Sequence, residues 1–160
     1  MARTLGCSST TCDHNGLPYS VKLAIYRLTA EHGSPPAQTV VAEVVGAPLA
    51  EVRAAYETLA GNRLLVLEAD RATIRMAPPF SGVPSQHRVA VAGVQYFANC
   101  AWDAFGIPAA LHQPGLVESE CAESRAPLHM EIGLDGPPPS LWLFHCLVPA
   151  ARWWADIVFT

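Results

Sequence analysis

No stretch of this sequence is apolar over anything near the ~20 residues that a bilayer-spanning helix requires, so no helical membrane anchor is expected. The N-terminus, Met1-Ala-Arg-Thr-Leu-Gly-Cys7, lacks the apolar core of a signal peptide, and the expected localisation is cytoplasmic. Basic charge is scarce. Ten Lys and Arg face fourteen Asp and Glu, a net charge of −4, and no basic stripe is present to hold phosphates. The shortfall is uneven: residues 1–85 hold seven basic and seven acidic side chains, residues 86–160 three and seven. No Gly-containing loop carries the Lys-Ser/Thr signature of a phosphate cradle, and no repeat or low-complexity tract is present. Cysteine is sparse and odd in number: Cys7, Cys12, Cys100, Cys121 and Cys146. Five scattered thiols without an export signal argue against a disulfide framework, leaving thiol chemistry, metal binding or burial as their roles.

What the chain does have is apolar residues, 51% against 15% charged, which is a globular balance. Its 160 residues suffice for one sizeable core or two small ones. Residues 1–19 read as an N-terminal arm. From Ser20, the spacing of Val21, Ala24, Ile25 and Leu28 predicts a helix that stops at Gly33-Ser34-Pro35-Pro36. A second helix fits Thr39 to Val45, ended by Gly46. A third opens at Pro48, faces Leu49, Val52, Tyr56 and Leu59 inward, and closes at Gly61. Leu64–Leu67 and Ala72–Met76 read as strands about the turn Glu68-Ala-Asp-Arg71. Three helices and a hairpin over residues 20–76 is winged-helix order. The third helix would be the one to enter DNA, but its charged residues, Glu51, Arg53 and Glu57, are net acidic, so a packing module is the favoured reading. Residues 77–87, with Pro78, Pro79 and Pro84, read as a Pro-rich linker.

Residues 88–160 carry the chemistry. Arg88–Val94 reads as a strand running into a helix, and Tyr96–Phe105 as a helix stopped by Gly106 and Pro108. Within it lies Cys100-Ala-Trp-Asp103. Residues three apart share a helix face, so thiol and carboxyl can address one point. A thiol near a helix N-terminus is expected to have a lowered pKa, and a carboxyl beside an apolar wall a raised one. Such a pair offers a metal-binding thiolate beside a proton donor. Spacing alone does not decide the matter, since free cysteine is also a small buried hydrophobe. Leu141-Trp-Leu-Phe-His-Cys146, after a turn at Pro137–Pro139, alternates like a strand. That places Trp142, Phe144 and Cys146 on one face, with His145 opposite and Cys146 expected buried. Cys7, Cys12 and His14 are three potential zinc or copper ligands whose spacing fits no standard motif, and a structural or incidental role is expected. Glu118, Glu120, Glu123 and Asp135 read as solvated surface, Trp153 and Trp154 as core or interface aromatics.

The run Tyr96-Phe-Ala-Asn-Cys100-Ala-Trp-Asp103-Ala-Phe-Gly-Ile-Pro108-Ala-Ala-Leu111 resembles the active-site segment of the organomercurial (alkylmercury) lyases, an aromatic-x-x-Cys-Ala-x-Asp core followed by Ile/Phe-Pro-Ala-Leu. Val117-Glu-Ser-Glu-Cys121-Ala-Glu-Ser-Arg-Ala126-Pro127-Leu128 is similar to the family's strand–Cys-Ala–turn–Ala-Pro segment, and Leu147 to Thr160 resembles the segment before its second catalytic cysteine. The family also begins with a winged-helix-like module. The resemblance therefore spans most of residues 20–160.

It implies cleavage of a carbon–mercury bond by protonolysis, with Cys100 as thiolate ligand, Asp103 as proton donor and a second thiolate at the metal. In the family that second cysteine follows the segment matching Trp153 to Thr160. This sequence ends at Thr160, so the expectation is either a truncated form or a relative that lacks that ligand, with Cys146 the alternative second thiol although burial is its favoured reading. Cys121 matches a family cysteine that is usually structural. The expected fold is α+β: a winged-helix-like three-helix module, then a small mixed or antiparallel sheet with packed helices in residues 88–160. The expected metal ligands are Cys100, Asp103 and Cys146. No cofactor is required; Hg(II) is the bound product, and copper is the alternative soft metal. Expected partners are an organomercurial or soft-metal ligand and small-molecule thiols, not membrane, with nucleic acid disfavoured. The alternatives are a winged-helix regulator responsive to metal or thiol-reactive ligands, and a non-catalytic soft-metal-binding relative.

Overall fold

The structure, a computed structural model, describes residues 16–158. Cys7, Cys12 and His14, the possible ligands of the N-terminal arm, lie outside the described residues. Helix α1, Leu17–His32, buries Val21, Ala24, Ile25 and Thr29 along one stripe. Helices α2, Gln38–Val45, and α3, Leu49–Gly61, pack against it, with Val41, Val52, Ala55, Tyr56 and Leu59 in the shared core. Strands β1 (Val66–Leu67), β2 (Ile74–Ala77) and β3 (Phe80–Ser81) then form an antiparallel sheet in that order. A second antiparallel sheet follows, ordered β5-β4-β6-β7, from β4 (Arg88–Val91), β5 (Val94–Phe97), β6 (Gly115–Glu120) and β7 (Pro127–Ile132). Helix α4, Ala101–Leu111, connects β5 to β6, and a 3-10 turn covers Ala150–Ala155. The fold is α+β, with helices first and antiparallel sheets after.

The second sheet positions the site. Val89 stands opposite Tyr96 on one side and Val117 on the other, and Val117 faces Met130. The period of two in the strands puts these side chains, with Val91 and Ile132, on one buried face. Helix α4 lies across β4 and β6, contributing Ala104, Ile107 and Pro108. The approach is close. A Cβ on Gly115 would sit 2.9 Å from both Pro108 Cγ and Val91 Cγ2, so glycine is what allows α4 to settle there.

The two halves are joined by more than chain. The Tyr96 hydroxyl donates to the Ala30 carbonyl at 2.5 Å, and the Tyr26 hydroxyl to the Pro78 carbonyl at 3.0 Å. Phe80 packs against both Tyr26 and Tyr96. Residues 77–87, read from their prolines as a linker, thus contain β3 and a buried Phe80 that also bridges to Ala98 beside β5. Three large aromatic rings supply the burial that composition did not reveal.

Three local expectations are corrected. Arg88–Val94 does not run into a helix. Ala92 and Gly93, at φ 50° and 84°, turn the chain back as a two-residue hairpin, so Tyr96 and Phe97 are strand, not helix. The helix carrying Asp103 starts only after Cys100 and passes through Gly106 and Pro108 to Leu111. Burial of Ile107 and Pro108 against the sheet outweighs the hydrogen bond that proline removes. Leu141–Cys146 is not a strand. Leu141 and Leu143 are 98% and 93% exposed and Cys146 is exposed, so the alternating apolar residues do not form one buried face.

Candidate functional site

Cys100 is the N-cap of α4, in extended backbone at φ −151° and ψ 178°, and Asp103 occupies the first helical turn. The hairpin β4–β5 delivers Cys100 to that point. The thiol closes no well-formed capping hydrogen bond, but the N–H groups of Asp103 and Trp102 still face its sulfur and favour the thiolate. They do not prevail. Burial raises the Cys100 pKa, and electrostatic repulsion from Asp103, with a smaller contribution from the Cys146 side, raises it further. The expected lowering at a helix N-terminus is therefore reversed, because removal from water and the neighbouring Asp103 outweigh two backbone dipoles. Cys100 rests as a neutral thiol that sheds its proton when a soft metal takes the sulfur.

Asp103 is half-buried, and burial raises its carboxyl pKa. Opposing this, the Asn99 amide donates to Asp103 Oδ2 at 2.9 Å and favours the ionised form. Tyr26 of α1 lies close enough for the Asp103 charge to raise its phenol pKa, after the larger effect of its own burial. The carboxyl thus accepts from Asn99 and lies within electrostatic reach of Tyr26, so groups from both halves of the chain bear on it.

Cys146 reaches the same neighbourhood from the C-terminal segment. The Phe144 ring packs on Trp102 of α4, centroids 5.7 Å apart. The Cys146 thiol donates to the Val148 carbonyl at 2.9 Å, which also accepts from Trp153 Nε1 at 2.7 Å. Cys100 and Asp103 are therefore together at the start of α4, with Cys146 within electrostatic reach of the Cys100 sulfur. Among the described residues no three Cys, His, Asp or Glu side chains form a ready-made metal cage. Cys121 stands apart, free and half-buried in the turn after β6, and is lowered in pKa by the Ser124 hydroxyl and the N–H groups of Ser124 and Glu123.

Sequence reasoning passed over Asn99 and Tyr26. Asn99 lies inside the quoted active-site run, next to Cys100, and its amide could have been noticed there. Tyr26 is 77 positions from Asp103 in the chain and carries no local signal. The activation of Cys121 was readable in Cys-x-x-Ser, a turn spacing that returns a hydroxyl to the sulfur.

The fold and site define a mixed α+β protein in which a thiol at the N-cap position of a helix and a half-buried carboxyl adjoin at the end of an antiparallel hairpin. The family model described as alkylmercury lyase matches residues 80–160, half of the chain and all of β3 to the C-terminal segment, and the chain belongs to that family. Among solved structures it is similar to the crystal structure of the mercury-bound form of MerB2, with TM-score 0.60 and 20% identity over 80% of this chain. The chain spans 63% of the length of that protein. No curated protein sequence matches it significantly.

Proposed function

We propose that this protein cleaves carbon–mercury bonds by protonolysis, with Cys100 and Cys146 as the thiols that hold mercury and Asp103 as the proton donor. The observation that supports the reading is the adjacency of Cys100 and Asp103 at the start of α4, in a chain of the alkylmercury lyase family, with Cys146 near enough to act electrostatically on the Cys100 sulfur. Soft Hg(II) prefers thiolate to any other side chain, and two sulfurs suffice to hold it. Cys100 first displaces a small-molecule thiolate from R–Hg–SR′, and its proton leaves with HSR′. The exposed Cys146 then gives up its proton to solvent and bonds to mercury as thiolate. The Hg–C electron pair passes to carbon as Asp103 delivers its proton there. R–H departs, mercury remains between two sulfurs, and Asp103 is left as carboxylate. Burial supports the role of Asp103 by raising its pKa and so favouring the protonated form, and a carboxyl oxygen is a poor competitor with sulfur for so soft an ion. Small-molecule thiols then remove Hg(II). The mercury-bound state of the MerB2 structure is consistent with the same cargo here.

The test is benzene release from phenylmercury, followed by headspace gas chromatography, for the parent and Cys146→Ser. Release by the parent, slowed by an order of magnitude or more in Cys146→Ser, is expected if a second thiolate activates the bond. Parental release by Cys146→Ser would remove Cys146 from the site. No release by the parent would leave a soft-metal-binding relative without catalysis.

A further inference from the structure

Asn99 has no role in the proposed reaction, yet its amide nitrogen faces three oxygen acceptors at the start of α4. Nδ2 donates to Asp103 Oδ2 at 2.9 Å and faces the carbonyls of Pro79 and Phe80 at 3.2 and 3.4 Å. Oδ1 of the same amide is buried and has no hydrogen-bond partner. Rotating the amide by half a turn would give no relief. It would set Oδ1 against two carbonyls and a carboxyl oxygen, all acceptors. The orientation is fixed by the surrounding chemistry, and Asn99 can only donate to Asp103.

We propose that Asn99 is a positioning residue that reserves one oxygen of Asp103 for proton delivery. With an N–H pointing at Oδ2, a proton on that oxygen would oppose the donor. The acid proton is therefore carried on Oδ1, the oxygen left free. Once the proton has gone to carbon, the N–H···Oδ2 bond is to an anion and strengthens. Asn99 thus favours the state after transfer over the state before it, which is the requirement for assisting the step rather than merely binding. Its hold on Pro79 and Phe80 ties the carboxyl to β3 as well as to its own helix. This inference rests on the protonolysis reading, and its test separates the two.

Intact-mass spectrometry after mixing with one equivalent of phenylmercury reads capture as gain of the phenylmercury mass and cleavage as loss of the mass of benzene. Asn99→Leu and the smaller Asn99→Ala should capture phenylmercury as the parent does but cleave it roughly 10- to 100-fold more slowly, the worth of one hydrogen bond to a charged group. Isotope-edited infrared spectra of Asp-labelled protein, with Asp103→Asn subtracted, should show the Asp103 carbonyl band moving to higher frequency in both variants as its donor is lost. Cleavage at the parental rate with an unmoved band would overturn the proposal. If the parent itself fails to cleave, the protonolysis reading falls, and an unmoved band removes Asn99 as well. If neither variant folds, the parent decides: the Asn99 side-chain amide resonances should shift in Asp103→Ala, and unchanged resonances would refute the hydrogen bond.

Discussion

Gly33 and Gly46 offer a matched pair for measuring how firmly the front helices hold the site. Both terminate helices in the left-handed region, at φ 83° after α1 and 67° after α2. An alanine in that region costs about 1–2 kcal/mol at either position. They differ in surroundings. A Cβ at Gly46 meets nothing within 4 Å, whereas one at Gly33 lies 2.2 Å from the Gln95 carbonyl oxygen and 3.3 Å from Val94 Cγ1. That is roughly 1 Å short of an ordinary carbon–oxygen contact of about 3.3–3.6 Å, so α1 must lift from β5. Lifting it strains or breaks the Tyr96–Ala30 hydrogen bond, worth about 1 kcal/mol, and loosens packing around Phe80 by a similar amount. Gly33→Ala should therefore cost about 3–4 kcal/mol and Gly46→Ala about 1–2 kcal/mol. The gain from stiffening the unfolded chain is common to both and cancels in the comparison. Urea unfolding followed by circular dichroism gives both values, provided the two slopes agree. Equal destabilisation would refute the close approach of α1 to β5.

Two further outcomes follow from the titrating groups. Sub-stoichiometric alkylation at neutral pH, mapped by mass spectrometry, should modify Cys121 ahead of Cys100, because the Ser124 hydroxyl favours the Cys121 thiolate while burial disfavours that of Cys100; faster labelling of Cys100 would contradict this. Asp103→Asn should be more stable than the parent at neutral pH, because a carboxyl raised above 3.8 by burial binds its proton more tightly folded than unfolded. Its stabilising effect is complete below the unfolded value and is lost as pH rises through the folded one. The advantage of Asp103→Asn in Tm should accordingly vanish in acid, and a variant less stable than the parent at pH 7 would show that the charge is stabilising instead.

Much of the fold was legible because helical stripes and glycine stops are local. Val21, Ala24 and Ile25 face inward as their spacing predicts, and Gly33 and Gly46 end their helices. The second half was harder. Ala92-Gly93 is not a strong turn signal, so the hairpin was read through into a helix, and Pro108 was taken as a stop when sheet packing tolerates it. Cys100 and Asp103 were legible as a pair because they lie three residues apart. The pKa of Cys100 was not, since burial and Cys146 arrive through tertiary packing. Phe80 looked like part of a spacer because nothing local announces that Tyr26 and Tyr96 will flank it.

The central claim is that Cys100 and Asp103 form the place where a carbon–mercury bond is broken, and capture alone cannot test it, because other thiols of the chain also take phenylmercury. The direct measurement is the conversion of the protein-bound phenylmercury adduct to bare protein-bound mercury, read by intact mass over time in the parent, Cys100→Ser and Asp103→Asn. The account predicts conversion in the parent, with phenylmercury persisting uncleaved on the other cysteines of Cys100→Ser and on Cys100 of Asp103→Asn. Conversion by Cys100→Ser at the parental rate would contradict it.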